Sequence, residues 1–128
     1  MGKAFDFAVL GPLRVSGPRG PVDLKAPKQR ALLAVLLLAH RDDSVPPARL
    51  VDELWGNDPP ATAGKALQVH LSKLRSALGP EQPIVTRPAG YAIRIEPEQL
   101  DLARFEALSA RARAARQEGD VEAAARWW

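Results

Sequence analysis

Nine consecutive apolar residues, Ala31 to Ala39 (ALLAVLLLA), stand behind KQR and a proline at position 27. A helix over this run shows apolar side chains on nearly every face, so it is stable in water only with protein packed around it. Pro27 falls where a first helical turn tolerates a residue without an N–H. The rest of the chain must therefore wrap a central helix. With 128 residues there is material for one domain with a proper core and a small appendage. Nine residues fall far short of the roughly 20 that span a bilayer. Lys28 and Arg30 give the run the look of a signal-peptide h-region, but it begins 30 residues in, behind a segment with strand character. Secretion is set aside on that ground. The lack of cysteine excludes disulfides, thiolate zinc sites and thiol catalysis, and fits a reducing compartment. The expected location is the cytoplasm.

What wraps the helix is legible from turn chemistry. Two β-rich pieces, FAVLGPLRV (5–9 and 13–15) and PVDL (21–24), flank the turn-rich SGPRG and predict short antiparallel strands. After the central helix, Ser44 is a candidate cap, Pro46 and Pro47 fit a first turn, and Leu50, Val51, Leu54 and Trp55 mark one face of a short helix that Gly56 can end. NDPPAT (57–62) is a stiffened loop. A third helix follows, with Thr62 or Asp58 as its cap and Gly79-Pro80 as its stop. IVTRPAGYAIRI (84–95) then reads as a hairpin around Pro-Ala-Gly, with Gly90 able to take positive φ, and Pro97 closes the unit. From Asp101 a stripe of Leu102, Phe105, Leu108 and Ala112 predicts another helix up to Gly119-Asp120, where VEAAARWW begins one more. That last helix breaks off after about two turns, so the chain reads as cut within a larger protein, with Trp127 and Trp128 left without their partner helices.

Charge is unevenly divided. Residues 1–60 carry eight Lys/Arg against seven Asp/Glu, residues 61–95 five against one, and residues 96–128 five against seven. A basic middle inside a near-neutral protein points to a polyanionic partner. Catalysis lacks its inventory: His40 and His70 lie on different predicted helices, Asp42-Asp43 and Asp52-Glu53 are neighbours whose side chains diverge, and GPRG (17–20) lacks the Lys-Ser/Thr of a phosphate loop. No cofactor and no metal are expected, and His70 is expected to flank the core or to meet backbone phosphate.

The third helix, KALQVHLSKLRSALG (65–79), gives the polyanion a reading surface. Leu67, Leu71, Leu74 and Leu78 cluster within about 40° of Leu67 on a helical projection, while Lys65, Val69, Ser72, Lys73 and Ser76 fall opposite. No acid occurs between Thr62 and Leu78. Lysine contacts guanine or phosphate, serine bonds several base edges, and a valine packs against a thymine methyl. Helix, short helix, acid-free helix and an arginine-bearing hairpin is the winged-helix order: the third helix enters the major groove and Arg87, at the hairpin tip, reaches a minor groove. The rival reading keeps the fold without DNA, as a protein-interaction module whose helical tail and Trp127-Trp128 end dock a partner.

LVDELWGNDPPATAGKALQVHLSKLRSALG followed by IVTRPAGYAIRI closely resembles the OmpR-type winged-helix domain of the Streptomyces antibiotic regulatory proteins, with LWG and the PPAT loop, LQxHLSKLRxALG and TRxxGY as its marks. The resemblance runs from about Phe7 to Ile95, and DLARFEAL with ARQEGDVEAAARWW resembles the opening of the helical, TPR-like transcriptional activation domain that follows in that family. It implies an α+β fold with an N-terminal antiparallel sheet, a three-helix core and a C-terminal β-hairpin wing over residues 1–96, then a truncated helical unit over 97–128. It implies a transcriptional activator on direct repeats near a promoter, bound as a head-to-tail pair and engaging RNA polymerase holoenzyme through its sigma or alpha subunits, for an antibiotic gene cluster. Lys65, Val69, Ser72 and Lys73 match positions facing bases or nearby phosphates, Arg75 a phosphate-contacting arginine, Arg87 the wing arginine and Tyr91 the aromatic after the wing glycine. Thr62, Gln68 and Ser76 complete the expected DNA-binding set, and Gly56, Asn57, Asp58, Pro59 and Pro60 match the loop that touches polymerase. Many OmpR-type relatives carry two arginines where Ser72 and Lys73 stand, so base preference does not carry over.

Overall fold

The computed structural model describes residues 5–117. Three short strands, β1 (Asp6–Ala8), β2 (Arg14–Gly17) and β3 (Gly20–Val22), form an antiparallel sheet in the order β1-β2-β3. Phe7 opposite Val15 and Val15 opposite Val22 put the apolar side chains on one face, and Phe5 and Phe7 stack 5.6 Å apart. The turn between β2 and β3 is tighter than SGPRG predicts: Gly17 pairs with Gly20, leaving Pro18-Arg19 as the two loop residues.

Helix α1 (Pro27–Leu38) starts on its proline and is the central helix that its composition requires. Leu32, Leu33, Leu36 and Leu37 are sealed in the core, and of the long apolar side chains only Leu38, in its last turn, is open to solvent. Around it lie α2 (Pro47–Trp55) and α3 (Ala63–Leu78), then the hairpin strands β4 (Ile84–Arg87) and β5 (Gly90–Ile93), a 3-10 turn at Pro97–Gln99 and α4 (Asp101–Gln117).

The two cap expectations fare differently. Ser44 does not cap α2. The chain stays extended through Pro46 (φ −62°, ψ 146°), which is the flanking residue, and Pro47 opens the helix. Two constraints enforce this: a residue before proline is kept out of the α region, and Val45 is already engaged as a strand. Its N–H donates to Tyr91 O at 2.6 Å and its carbonyl accepts from Tyr91 N at 3.0 Å, an antiparallel bridge that sews the hairpin to the α1–α2 connection. Thr62 does hold the cap position of α3, but neither its hydroxyl nor the Asp58 carboxylate makes a capping bond. Gly56 (φ 60°) ends α2 and Gly79 (φ 95°) ends α3, as expected.

Gly90 belongs to the ladder, not to the turn: it pairs with Arg87, leaving Pro88-Ala89 as the loop. Its φ is 158°, and the stronger constraint is space, because a Cβ there would collide with the Val45 carbonyl oxygen and come within 2.7 Å of its carbon. The α4 stripe is rotated from the expected one. Ala103, Ser109 and Ala112 are buried, whereas Phe105 and Leu108 are exposed. Polar anchors set that rotation: Glu106 meets His40 Nε2 at 3.2 Å and Arg41 at 3.5 Å, and Arg104 meets Asp6 at 3.6 Å. The predicted helix after Gly119 and the Trp127-Trp128 end lie outside the described residues.

Asp101 fastens the start of α4 to the sheet. Its carboxylate accepts from Val9 N (2.9 Å), Leu10 N (3.1 Å) and Leu102 N (2.8 Å). Burial works to raise its pKa, but those three N–H groups and the Arg104 charge outweigh it and hold the carboxyl below its ordinary value. A depressed folded-state pKa gives stability that is present above the unfolded value near 4 and is lost as pH falls through the folded one. Asp101→Ala should therefore cost about 1–3 kcal/mol at neutral pH. In chemical denaturation the gap from wild type should narrow steadily below about pH 4.

Candidate nucleic-acid interface

α3 divides cleanly into two faces. Leu67, Leu71, Leu74 and Leu78 are all buried, and Val69, across the helix from them, is 50% exposed. Lys65, Gln68, Val69, Ser72 and Lys73 together line one shallow surface depression, with Ser76 exposed one turn beyond Ser72 and Thr62 exposed at the helix start. The assembly is basic and hydroxylated, with an aliphatic centre and no carboxylate on its own helix. It offers donors and a methyl surface, which suits a groove lined with acceptors and phosphates.

The other predicted residues separate. Arg75 sits at the seam between α3 and the hairpin: its Nη2 donates to Thr86 Oγ1 (3.0 Å) and to Ile84 O (3.3 Å), and its guanidinium lies 5.9 Å from the centre of the Tyr91 ring. Its Nε is enclosed without a partner among the described residues. Arg75 thus braces the wing against the helix, and Tyr91 is half-buried beneath it. Strand alternation carries Arg87 to the opposite face of the hairpin from Thr86 and Tyr91. There it lines a polar recess with His40, Asp42, Asp43 and Arg94. It is half-buried, with Nε enclosed, so the expectation of a freely protruding tip arginine does not describe its resting position. Gly56, Asn57, Asp58, Pro59 and Pro60 are all exposed in the α2–α3 loop.

A cluster that spacing did not reveal borders the depression on its other side. Lys28 from α1 donates to Leu54 O and stands 5.3 Å from the centre of the Trp55 ring, which is tilted 6.0 Å from His70. Gln29 Nε2 reaches His70 Nδ1 at 3.0 Å. Burial, first, and then the charges of Lys73 and Lys28 depress the His70 pKa, so the ring is neutral at neutral pH. Nδ1 then accepts the amide proton and Nε2 carries the ring proton. Residues 28 and 29 come from the central helix, where hydrophobicity masked any signal; Trp55 was visible only as part of LWG. Among the described residues no group of His, Asp or Glu is placed to hold a metal ion, and no helix is long and apolar enough to cross a membrane.

The family profile described as "Transcriptional regulatory protein, C terminal" matches residues 20–93, from β3 to the end of the wing. The chain belongs to this family. Within it, the likeness to the Streptomyces antibiotic regulatory proteins extends over most of the chain. "Regulatory protein AfsR" of Streptomyces griseus is 39% identical over 117 residues, which is 91% of this chain and 12% of that protein. "Transcriptional regulator RedD" of Streptomyces coelicolor is 34% identical over 112 residues, 81% of this chain and 31% of that one. A solved structure, "Mycobacterium tuberculosis EmbR in complex with low affinity phosphopeptide", superposes with a TM-score of 0.80 at 33% identity, covering 96% of this chain and 34% of that one. The chain thus spans about a third or less of the length of these proteins, and it carries the OmpR-type winged-helix fold of the family.

Proposed function

We propose that this OmpR-type domain is the sequence-reading part of a non-enzymatic transcriptional activator. α3 enters the major groove of promoter DNA with Lys65, Gln68, Val69, Ser72, Lys73 and Ser76. Two copies bind direct repeats head to tail, and the exposed loop 56–60 meets RNA polymerase. Arg87 reaches the minor groove by swinging out of the recess it lines, and residues 97–128 open a helical activation unit. Kinship with regulators of the AfsR type supports a secondary-metabolite gene cluster as the target. The observation that carries the reading is the exposed, acid-free face of α3 opposite a fully buried leucine stripe. Exposed Phe105 and Leu108 favour a protein partner for α4, which needs no DNA.

Anisotropy titration against direct-repeat and scrambled duplexes at two salt concentrations separates these readings. The repeat duplex should bind more tightly, and affinity should fall steeply with salt. Lys73→Ala should reduce the slope of log K against log salt by about 1. Equal affinity for both duplexes at every salt concentration would refute sequence reading, and no binding at low salt would leave the protein-interaction role. Val69→Ser should change preference for thymine within the site while the melting temperature stays near wild type, because Val69 contributes little to the core.

A further inference from the structure

The depression on α3 has two borders, and they are built differently. On the wing side Arg75 is turned inward against Thr86, Ile84 and Tyr91. On the other side His70 lies about 70° from the centre of the leucine stripe, with Lys73 one turn on along the same edge. Lys28 of α1 and Trp55 of α2 complete that edge. A helix seated in a major groove has a phosphate strand along each side. We propose that His70 is a DNA-contacting residue that donates its Nε2 proton to a backbone phosphate, held in that tautomer and ring orientation by Gln29. The proposal rests on the reading of α3 as the groove helix.

Three observations carry it. The inner nitrogen is committed: Gln29, 8% exposed in the core, bonds Nδ1 at 3.0 Å. The outer nitrogen has no partner among the described residues and is not sealed from solvent. The neighbouring charges, Lys28 and Lys73, are both positive and would gather a phosphate at that edge, while holding the ring neutral. The contact is therefore a neutral hydrogen bond beside two cations, insensitive to base sequence. Gln29 acts through His70 as a positioning residue.

Two substitutions divide the inward bond from the outward one. An asparagine amide falls near Nδ1 and a glutamine amide near Nε2. His70→Asn keeps a partner for Gln29 and loses the outward donor, and His70→Gln does the reverse. With the 128-residue chain and a labelled mixed-sequence duplex at about 50 mM salt, His70→Asn should bind about tenfold more weakly. Its salt slope should be unchanged, since a neutral donor releases no counterion. His70→Gln should bind close to wild type, although its core bond to Gln29 is disturbed. The reverse order, with asparagine binding like wild type and glutamine weakened, would overturn the proposal in favour of a packing role. So would affinity losses that merely follow the melting temperatures. If wild type itself does not bind the duplex, the groove-helix reading fails, and this outcome is distinct from wild type binding with both variants unaffected.

Discussion

Gly90→Ala should unfold more of this domain than any surface substitution, lowering stability by about 3 kcal/mol and the thermal midpoint by about 10 °C or more. The added methyl has no room because the Val45 carbonyl carbon stands 2.7 Å from its ideal position. Relief requires the hairpin and the α1–α2 connection to separate, and that breaks the reciprocal bonds between Val45 and Tyr91. Two lost backbone bonds, each worth about 1 kcal/mol, and a disturbed seat for the fully buried Val45 account for the size. The backbone at φ 158° adds a smaller term. Thermal melts followed by circular dichroism check the prediction; a midpoint within a few degrees of wild type would mean that the connection yields without cost. The adjoining Ala89→Gly, in the loop itself, should show little effect in the same melts.

Leu74→Ala should be comparably damaging, at about 3 to 4 kcal/mol. Leu74 is 0% exposed and lies in the middle of the α3 stripe, on a helix that packs against both α1 and α2. The comparison with Val69 makes the result informative. Two apolar residues five positions apart on one helix should differ from near zero to several kcal/mol in their effect on stability, and in opposite order in their effect on DNA. Urea denaturation of Leu74→Ala and Val69→Ser side by side tests both at once. Equal losses would mean that α3 is rotated about its axis relative to the orientation that exposes its lysines.

The elements that a local period or a terminating glycine announces were legible in the sequence. α1 follows from an apolar run that only a surrounded helix can bury, and α3 from four leucines in register. The outward face of α3, Val69 included, also follows from that register. Most of the misreadings arise where contacts distant in sequence override local preference. Ser44 is a good cap residue by type, but Val45 is recruited into a bridge with a residue 46 positions later, and the helix starts after it. Gly90 has a turn residue's composition but serves a close approach. Arg87 and Arg75 are alike in sequence, basic and near the wing, yet strand alternation and the Thr86 hydroxyl place them on different sides of the hairpin. The Lys28–Gln29–Trp55–His70 cluster joins three helices, and no spacing along one chain segment encodes it.

The carboxylate of Asp101 has a mechanical consequence for whatever α4 carries. A flexible tether spreads its cargo through a volume and meets a distant site by chance, with an effective concentration set by its length. α4 does not begin that way: its first residue is bonded to the backbone of Val9 and Leu10, and its first two turns are pinned through Arg104 and Glu106. It leaves the sheet as a lever arm with a set bearing. A unit carried on it would take its orientation from the sheet instead of sweeping out a volume around it.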